Sequence, residues 1–208
     1  MKVGIAGTGT WATALAQVLV DNGHDVILYG REKTQVDDIN NSHQNTFYFG
    51  SSVYLDTKIQ ATESISDIVL DVDLILLSVP TNAIAEVLLK IVPYLNKKTI
   101  IVNTAKGFDP DTRLRMSETI RHIVPKQKLQ AVVSLLGPSH AEEVILRNLT
   151  LITAVSRNKA SFPFSVFLIP KILIVWVPIS IPVITFALDI LLSFILILKI
   201  FFLLNKHF

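Results

Sequence analysis

The sequence predicts an α/β fold with a doubly wound, mostly parallel sheet over residues 1–157, and three observations lead to it. Short apolar runs alternate with polar or helical stretches along this part of the chain. The runs at 74–77 and 100–102 are continuously apolar, as strands of a parallel sheet covered on both faces must be. The first apolar run leads through a glycine pair into an amphipathic segment, which indicates a βαβ unit.

The first βαβ unit begins with a strand at 2–6 and a glycine turn at 7–10. The segment 11–22 then has apolar residues at the spacing of one helix face, and Gly23 is placed to end that helix. A second apolar run, rich in β-branched residues, predicts a strand at 25–29. The remaining strands are predicted at 57–61, 73–79, 99–103, 130–136 and 150–155.

Composition excludes several functions. The chain carries 19 basic and 17 acidic side chains, so a strongly basic surface for nucleic acid is not expected. It contains no cysteine, which excludes disulfide scaffolds, thiolate metal sites and thiol nucleophiles. The five histidines show no ligand spacing, and no metal site is expected. The apolar run at the amino terminus is too short for a signal-peptide core, so we expect a cytoplasmic protein.

The motif Gly7-Thr8-Gly9-Thr10-Trp11-Ala12 has the form G-x-G-x-x-A between a strand and a helix, which is typical of a dinucleotide fingerprint. The first glycine permits the tight turn, the second lets the backbone approach a pyrophosphate, and the alanine allows close packing of helix on strand. The amides of Thr10 and Trp11 would face the anion. A plain strand-to-helix connection is the alternative interpretation.

The choice between NADP and NAD is normally made at the end of the second strand, about twenty residues after the motif. Arg31 follows that strand and offers donors that suit a 2′-phosphate, so NADP is favoured over NAD. Glu32 is adjacent and would blur the preference. An exposed loop arginine without a ligand is the alternative interpretation.

Two segments lie just past predicted strand ends, where open α/β sheets bind ligands. The first contains Lys106, and the second contains Gly137 and Ser139. Ser139 and Glu142 have the spacing of a capping box, which predicts a helix start near Ser139. Donors at a helix start together with a lysine would suit a phosphate or an oxyanion. A solvated loop lysine and a ligand-free cap explain the same residues equally well.

The order of these motifs resembles the cofactor domain of the bacterial NAD(P)-dependent glycerol-3-phosphate dehydrogenases, over residues 1–157. Beyond the fingerprint, the similar segments are Tyr29-Gly30-Arg31, Ser78-Val79-Pro80, Thr104-Ala105-Lys106-Gly107 and Gly137-Pro138-Ser139-His140-Ala141-Glu142-Glu143-Val144. The resemblance implies a cytoplasmic, homodimeric enzyme that interconverts dihydroxyacetone phosphate and sn-glycerol 3-phosphate for phospholipid synthesis. Leu136 stands where the family usually has serine.

The resemblance also implies roles for individual residues. Contacts to the cofactor are implied for Thr10, Trp11, Arg31, Tyr48, Lys106 and Ala141, beside the fingerprint residues Gly7, Gly9 and Ala12. Lys106, Gly137 and Ser139 would hold the substrate. The family takes its proton-handling lysine from a Gly-Ala-Leu-Lys-Asn segment that is absent from this sequence. No catalytic residue is therefore assigned, and we expect a truncated, catalytically impaired version of the enzyme.

The composition changes abruptly in the last quarter of the chain. Of the 48 residues in 161–208, 33 are apolar, and none is glycine. We therefore divide the chain into a nucleotide-binding domain at 1–157 and an apolar tail, helical or disordered, at 158–208. One hypothesis is a frameshifted gene product, tested by finding the missing lysine segment in another frame of the downstream DNA. The alternative is a membrane span through 172–198, which would make the chain a non-catalytic, membrane-associated nucleotide-binding protein.

Overall fold

The computed structural model describes residues 1–137, 139–157, 168–169 and 172–178. Within these residues the chain forms a nine-stranded sheet with helices on both faces. The strands are β1 (Lys2–Ala6), β2 (Asp25–Tyr29), β3 (Gln60–Thr62), β4 (Leu74–Leu77), β5 (Thr99–Asn103), β6 (Leu129–Leu136), β7 (Thr150–Ser156), β8 (Leu168–Ile169) and β9 (Ile172–Pro178). The predicted α/β class is confirmed.

The strand order is β3-β2-β1-β4-β5-β6-β7-β9-β8. All neighbours from β3 to β6 pair in parallel, whereas β6 and β7 are antiparallel. The chain runs outward from β1 to β3 and then returns to add β4 on the other side of β1. This reversal opens a crevice at the carboxyl ends of β1 and β4, which is where doubly wound sheets bind ligands.

Helices cover both faces of the sheet. They are α1 (Thr10–Asp21), α2 (Lys33–Asp37), α3 (Thr46–Phe49), α4 (Thr81–Ile91), α5 (Met116–Ile123) and α6 (Ala141–Ile145). A π-helical turn over Asp38–Ser42 and 3₁₀ turns over Ile65–Ile68 and Val92–Tyr94 complete the described helical segments. Helices α1 and α6 contact each other on one face, and α4 and α5 contact each other on the other face.

The core consists of two apolar clusters, one on each face of the sheet. Leu76 of β4 belongs to the cluster under α1 and α6, while Ile75 and Leu77 belong to the cluster under α4 and α5. All three side chains are buried. Successive side chains of a strand point to opposite faces, so a strand buried on both faces needs an unbroken apolar run. This explains why these strands lack the alternation of half-exposed sheets.

The first helix ends as its sequence predicts. Gly23 has a φ of 76°, and its amide donates to the carbonyl of Val20 at 2.8 Å. A residue with a Cβ is strained in this left-handed conformation, so glycine closes the helix here. The helix spans Thr10–Asp21 rather than 11–22, because the carbonyl of Gly9 accepts the first helical bond, from the amide of Thr13.

Strand β3 begins later than the predicted strand at 57–61. Asp56 forms a turn in which its carboxylate accepts from the amide of Lys58 and its carbonyl from the amide of Ile59. These bonds hold the backbone in a turn until Gln60, where pairing with β2 starts. The apolar pattern did not reveal that the side chain of Asp56 competes with strand pairing for a backbone amide.

The tail departs from expectation where it is described. Helix or disorder was predicted there, but Ile172–Pro178 form β9, parallel to β7, and Leu168–Ile169 pair with β9. The segment is rich in β-branched residues, which favour strands. Among the described residues no helix is long and apolar enough to cross a membrane. The rest of the proposed 172–198 span lies outside the described residues.

Candidate functional site

The glycine turn after β1 has the geometry of a tight reversal. Gly7 has a φ of 124°, and its amide donates to the carbonyl of Tyr29 at 2.8 Å. A Cβ at Gly7 would lie 2.4 Å from the carbonyl oxygen of Ser78, at the end of β4. Both the backbone angle and the close approach therefore require glycine. The absence of a side chain at Gly7 allows the ends of β1, β2 and β4 to lie close together.

Gly9 is different, because nothing in the fold requires glycine there. Its φ of −68° and ψ of 177° suit any residue, and a Cβ at Gly9 would meet nothing within 4 Å. The space beside Gly9 is open. A glycine that the chain does not need for folding, at the start of a helix that faces a cleft, leaves room for the backbone to touch a ligand.

The start of α1 is an uncapped array of donors. No side chain caps it, and its first turn contains no acidic residue. The amides of Thr10, Trp11 and Ala12 have no hydrogen-bond acceptor within the described part of the chain. Free amides and the positive end of the helix dipole favour an anion at this position.

One cleft at this edge of the sheet, here named the glycine-turn cleft, has a volume of about 370 Å³, and beyond Arg31 and Tyr48 it adjoins a wider, more open cavity of about 1030 Å³ beside α2 and α3. It runs from the glycine turn along the end of β2 to one face of α4. Of the predicted cofactor residues it gathers Gly7, Gly9, Thr10, Arg31 and Tyr48. Arg31 is exposed, and Tyr48 packs edge-on against Phe47 with ring centroids 4.9 Å apart.

The second cleft, here named the strand-end cleft, has a volume of about 380 Å³. It lies past the ends of β5 and β6 and gathers the other predicted residues that contact a ligand: Trp11, Lys106, Gly137, Ser139 and Ala141. Thr10 borders both clefts. The two groups that sequence reasoning placed at separate strand ends therefore lie on either side of the start of α1.

Ala12 lines neither cleft. It is fully buried in the core cluster under α1, where its small side chain lets the helix pack closely on the sheet. This is the packing role expected of the third small residue of the fingerprint.

The segment that carries Lys106 is held by Asn103 and Thr104. The side chain of Asn103, which is buried, donates to the carbonyl of Ala105 at 3.0 Å and accepts from its amide at 3.2 Å. The hydroxyl of Thr104 donates to the carbonyl of Leu77 at 3.0 Å. Lys106 follows directly and is exposed, so its ammonium group is presented from an anchored turn.

Farther along the same loop, Asp109 closes a second turn. Its carboxylate accepts from the amides of Thr112 at 2.8 Å and Asp111 at 3.1 Å. These bonds, above all the one from Thr112, lower the pKa of Asp109 below its ordinary value. Asp109 is thereby kept charged as a structural acceptor.

The predicted capping box at Ser139 and Glu142 is wrong. Helix α6 begins at Ala141 with His140 at its cap position, and no side chain caps it. The carbonyl of His140 accepts from the amides of Glu143 and Val144, so the helix starts too late for Ser139 to reach its first amides. Ser139 lines the strand-end cleft instead.

Sequence reasoning missed the face of α4 that lines the glycine-turn cleft. Ala83, Glu86, Val87 and Lys90 all border this cleft. Their i, i+3, i+4 and i+7 spacing is that of one helix face, which was the available signal. This helix face contains no recognisable motif. It comes to lie beside the end of β2 only because the strand order places β4 next to β1.

The side chain of Asn45 holds the glycine turn in place through hydrogen bonds. It is buried, and its side-chain amide donates to the carbonyl of Thr8 at 2.8 Å and to the hydroxyl of Thr13 at 2.9 Å. The hydroxyl of Thr8 donates in turn to Gln35 at 2.7 Å. The turn is thus tied to α2 through Gln35 and to the residue before α3 through Asn45.

The variant Asn45→Ala is expected to lower the free energy of unfolding by about 2 kcal/mol, since buried acceptors lose their donor. Urea unfolding monitored by circular dichroism measures this change. Asn96→Ala, at an exposed asparagine, is the control and should shift stability by less than about 0.5 kcal/mol. Equal effects of the two substitutions would contradict the anchoring role.

The amino-terminal three quarters of the chain are similar to known dehydrogenases. Residues 2–162 match the family described as "NAD-dependent glycerol-3-phosphate dehydrogenase N-terminus". The chain is 45% identical over 159 residues to a glycerol-3-phosphate dehydrogenase [NAD(P)+] of Enterococcus faecalis, and 43% identical over 157 residues to one of Bacillus velezensis. These alignments cover 76% of this chain but only 46% and 45% of those proteins.

Solved structures agree. The chain is similar to the glycerol-3-phosphate dehydrogenase of Coxiella burnetii, with 25% identity and a TM-score of 0.70, over 85% of this chain and 53% of that one. The Plasmodium falciparum glycerol-3-phosphate dehydrogenase gives 25% identity and a TM-score of 0.71, over 85% and 52% of the two chains. The chain therefore belongs to the NAD-dependent glycerol-3-phosphate dehydrogenase family and carries the N-terminal Rossmann domain of that family.

Proposed function

We propose that residues 1–157 form a coenzyme-binding domain for NADP(H) or NAD(H), and that residues 158–208 are an apolar tail, of which Leu168–Ile169 and Ile172–Pro178 extend the sheet of that domain. The observation that carries this proposal is Gly9, which leaves open space beside the unpaired amides of α1. A pyrophosphate fits this place because it needs close backbone approach and several donors at once. In this arrangement the amides of Thr10 and Trp11 hold the pyrophosphate.

The two clefts divide the rest of the coenzyme between them. Arg31 and Tyr48 border the glycine-turn cleft, which takes the adenosine half, and the arginine fork favours a 2′-phosphate there. Lys106 and Ala141 border the strand-end cleft, which takes the nicotinamide half. Thr10 stands between the halves, as the pyrophosphate does in the coenzyme.

The substrate belongs beside the nicotinamide. Lys106, Gly137 and Ser139 border the strand-end cleft. They offer a positive charge, backbone polar groups and a hydroxyl, respectively, to a phosphorylated three-carbon substrate. The relatives named above support dihydroxyacetone phosphate and sn-glycerol 3-phosphate as that pair. The coenzyme, when bound, supplies or accepts the hydride, and the residues of this chain orient the carbonyl toward it.

Proton transfer is the missing part of this chemistry. Reduction of a carbonyl needs a proton donor within hydrogen-bond reach of its oxygen. The Gly-Ala-Leu-Lys-Asn segment that the family uses does not occur in these 208 residues. We therefore propose that this chain binds coenzyme but reduces dihydroxyacetone phosphate poorly or not at all.

Titration with coenzyme tests the proposal. Trp11 and Trp176 are the two tryptophans, so a Trp176→Phe background makes Trp11 the sole reporter. NADPH and NADH are expected to quench Trp11 fluorescence and to give saturable heat in calorimetry. Oxidation of NADPH in the presence of dihydroxyacetone phosphate should stay at the rate without protein.

The outcomes separate the two halves of the proposal. Absence of both quenching and heat with either coenzyme would overturn the binding site. Enzyme-like turnover would leave the binding site standing and refute the impaired activity.

We also propose a cytoplasmic, homodimeric protein, as the family resemblance implies. Light scattering during size-exclusion chromatography tests the dimer, and cell fractionation tests the location.

A further inference from the structure

The rim of the glycine-turn cleft carries an ion pair that the proposed function does not use. On α4, the ammonium group of Lys90 lies 2.6 Å from a carboxylate oxygen of Glu86. Both residues are exposed and both border the cleft, opposite Arg31 at the end of β2. The charged groups at this rim are therefore Arg31, Glu32, Glu86 and Lys90.

These charges act on one another. Glu86 raises the pKa of Lys90, mainly through their hydrogen bond, and Lys90 lowers the pKa of Glu86 in the same way. The positive charge of Arg31 contributes a smaller effect to both groups, lowering the pKa of Glu86 and that of Lys90. The arginine, the carboxylate and the lysine thus form one electrostatic cluster beside the adenosine end of the cleft.

The cleft floor explains how a nucleoside reaches this cluster. Ala83 and Val87 line the cleft one helical turn before Glu86 and Lys90, and Val79 precedes them at the end of β4. Small and branched apolar side chains offer a surface for a flat base. A ribose between such a base and the glycine turn would lie beside the charged rim, within reach of its 2′ substituent.

We propose that Lys90 is a second cation, with Arg31, for the 2′-phosphate of NADP(H), and that Glu86 opposes it by holding Lys90 and repelling the phosphate. A 2′-hydroxyl coenzyme brings no charge to the rim and leaves the Glu86–Lys90 pair closed. A 2′-phosphate competes with Glu86 for the lysine, because phosphate oxygens, like carboxylate oxygens, accept charge-assisted hydrogen bonds from an ammonium group. The choice between the two coenzymes then depends on α4 as well as on the end of β2.

This inference rests on the proposed function, and its test is direct binding rather than turnover. Calorimetric titrations with NADPH, NADH, adenosine 2′,5′-bisphosphate and AMP are compared for the unmodified chain, Lys90→Ala and Glu86→Gln. Lys90→Ala is expected to weaken binding of the two 2′-phosphorylated ligands about fivefold, and Glu86→Gln is expected to strengthen their binding by a similar factor. The changes are modest because the charges are exposed to solvent. Neither variant should change affinity for NADH or AMP by more than about twofold.

The matched control is Lys97→Ala. Lys97 is also an exposed lysine in an ion pair, with Asp73 at 3.5 Å, but it does not border the cleft. Lys97→Ala removes the same net charge as Lys90→Ala. Because Lys97 lies outside the cleft, the affinity of Lys97→Ala for NADPH should equal that of the unmodified chain. Equal NADPH affinity of Lys90→Ala and the unmodified chain would overturn the role of Lys90 while leaving the coenzyme site intact. Loss that is equal for NADPH and NADH would also overturn it, and no binding by the unmodified chain would refute the proposed function itself.

Discussion

The variant Gly9→Asp is expected to lose coenzyme binding by at least about a hundredfold while folding normally. The carboxylate would stand in the open space where the pyrophosphate is proposed to lie. Two negative charges a few ångströms apart in a partly closed cleft repel by about 1 to 4 kcal/mol, and the side chain also fills the volume that the phosphate needs.

The same variant is expected to fold at least as stably as the unmodified chain. Position 9 is the cap of α1, its φ of −68° and ψ of 177° suit any residue, and a new Cβ would meet nothing within 4 Å. Aspartate is among the best capping residues, and its charge favours the positive end of the helix. The free energy of unfolding should stay constant or rise by up to about 1 kcal/mol.

Calorimetry with NADPH and urea unfolding measure the two effects on one preparation. Gly9→Ser is the control, because serine also caps the helix but carries no charge. Its affinity for NADPH should fall between that of the unmodified chain and that of Gly9→Asp. If Gly9→Asp bound NADPH as tightly as the unmodified chain, the pyrophosphate could not lie at the start of α1.

The sequence was most informative where one local rule decides the structure. The strands at 2–6, 25–29 and 99–103 match β1, β2 and β5 to the residue, because each is centred on a short apolar run that the sheet buries. Gly23 ends α1 as predicted, because its left-handed backbone angle favours glycine over residues with a Cβ. The strand at 57–61 was misplaced, since the side chain of Asp56 competes for the backbone amides.

The site was predictable in its parts but not in its assembly. The glycine motif, Arg31 and Lys106 each follow a strand and could be found one at a time. The face of α4 could not, because Glu86 and Lys90 gain their place only through the strand order that sets β4 beside β1. The capping box failed for a related reason: the spacing of Ser139 and Glu142 fits a cap, but the carbonyl that accepts the first helical bonds belongs to His140.

The fold also contains a glycine that no motif marks, and its replacement is the substitution expected to cost the most stability. Gly4 lies within β1, between the buried Val3 and Ile5. A Cβ at Gly4 would lie 1.9 Å from the carbonyl oxygen of Ile68 and 2.7 Å from its carbonyl carbon. Ile68 ends the 3₁₀ turn Ile65–Ile68, which packs directly on β1. Because the obstacle is backbone, no change of rotamer can relieve the clash.

Gly4→Ala is therefore expected to lower the free energy of unfolding by about 3 kcal/mol, the upper end of ordinary overpacking. Relief requires moving either β1, which pairs with both β2 and β4, or the turn that contains the buried Ile68 and precedes β4. Urea unfolding measures the loss, and Gly9→Ala is the matched control, since the same methyl group there meets nothing and should cost less than about 1 kcal/mol. Equal stability of the two alanine variants would mean that the 3₁₀ turn does not rest on β1. In that case the close contact could not explain why a strand buried on both faces carries a glycine at its centre.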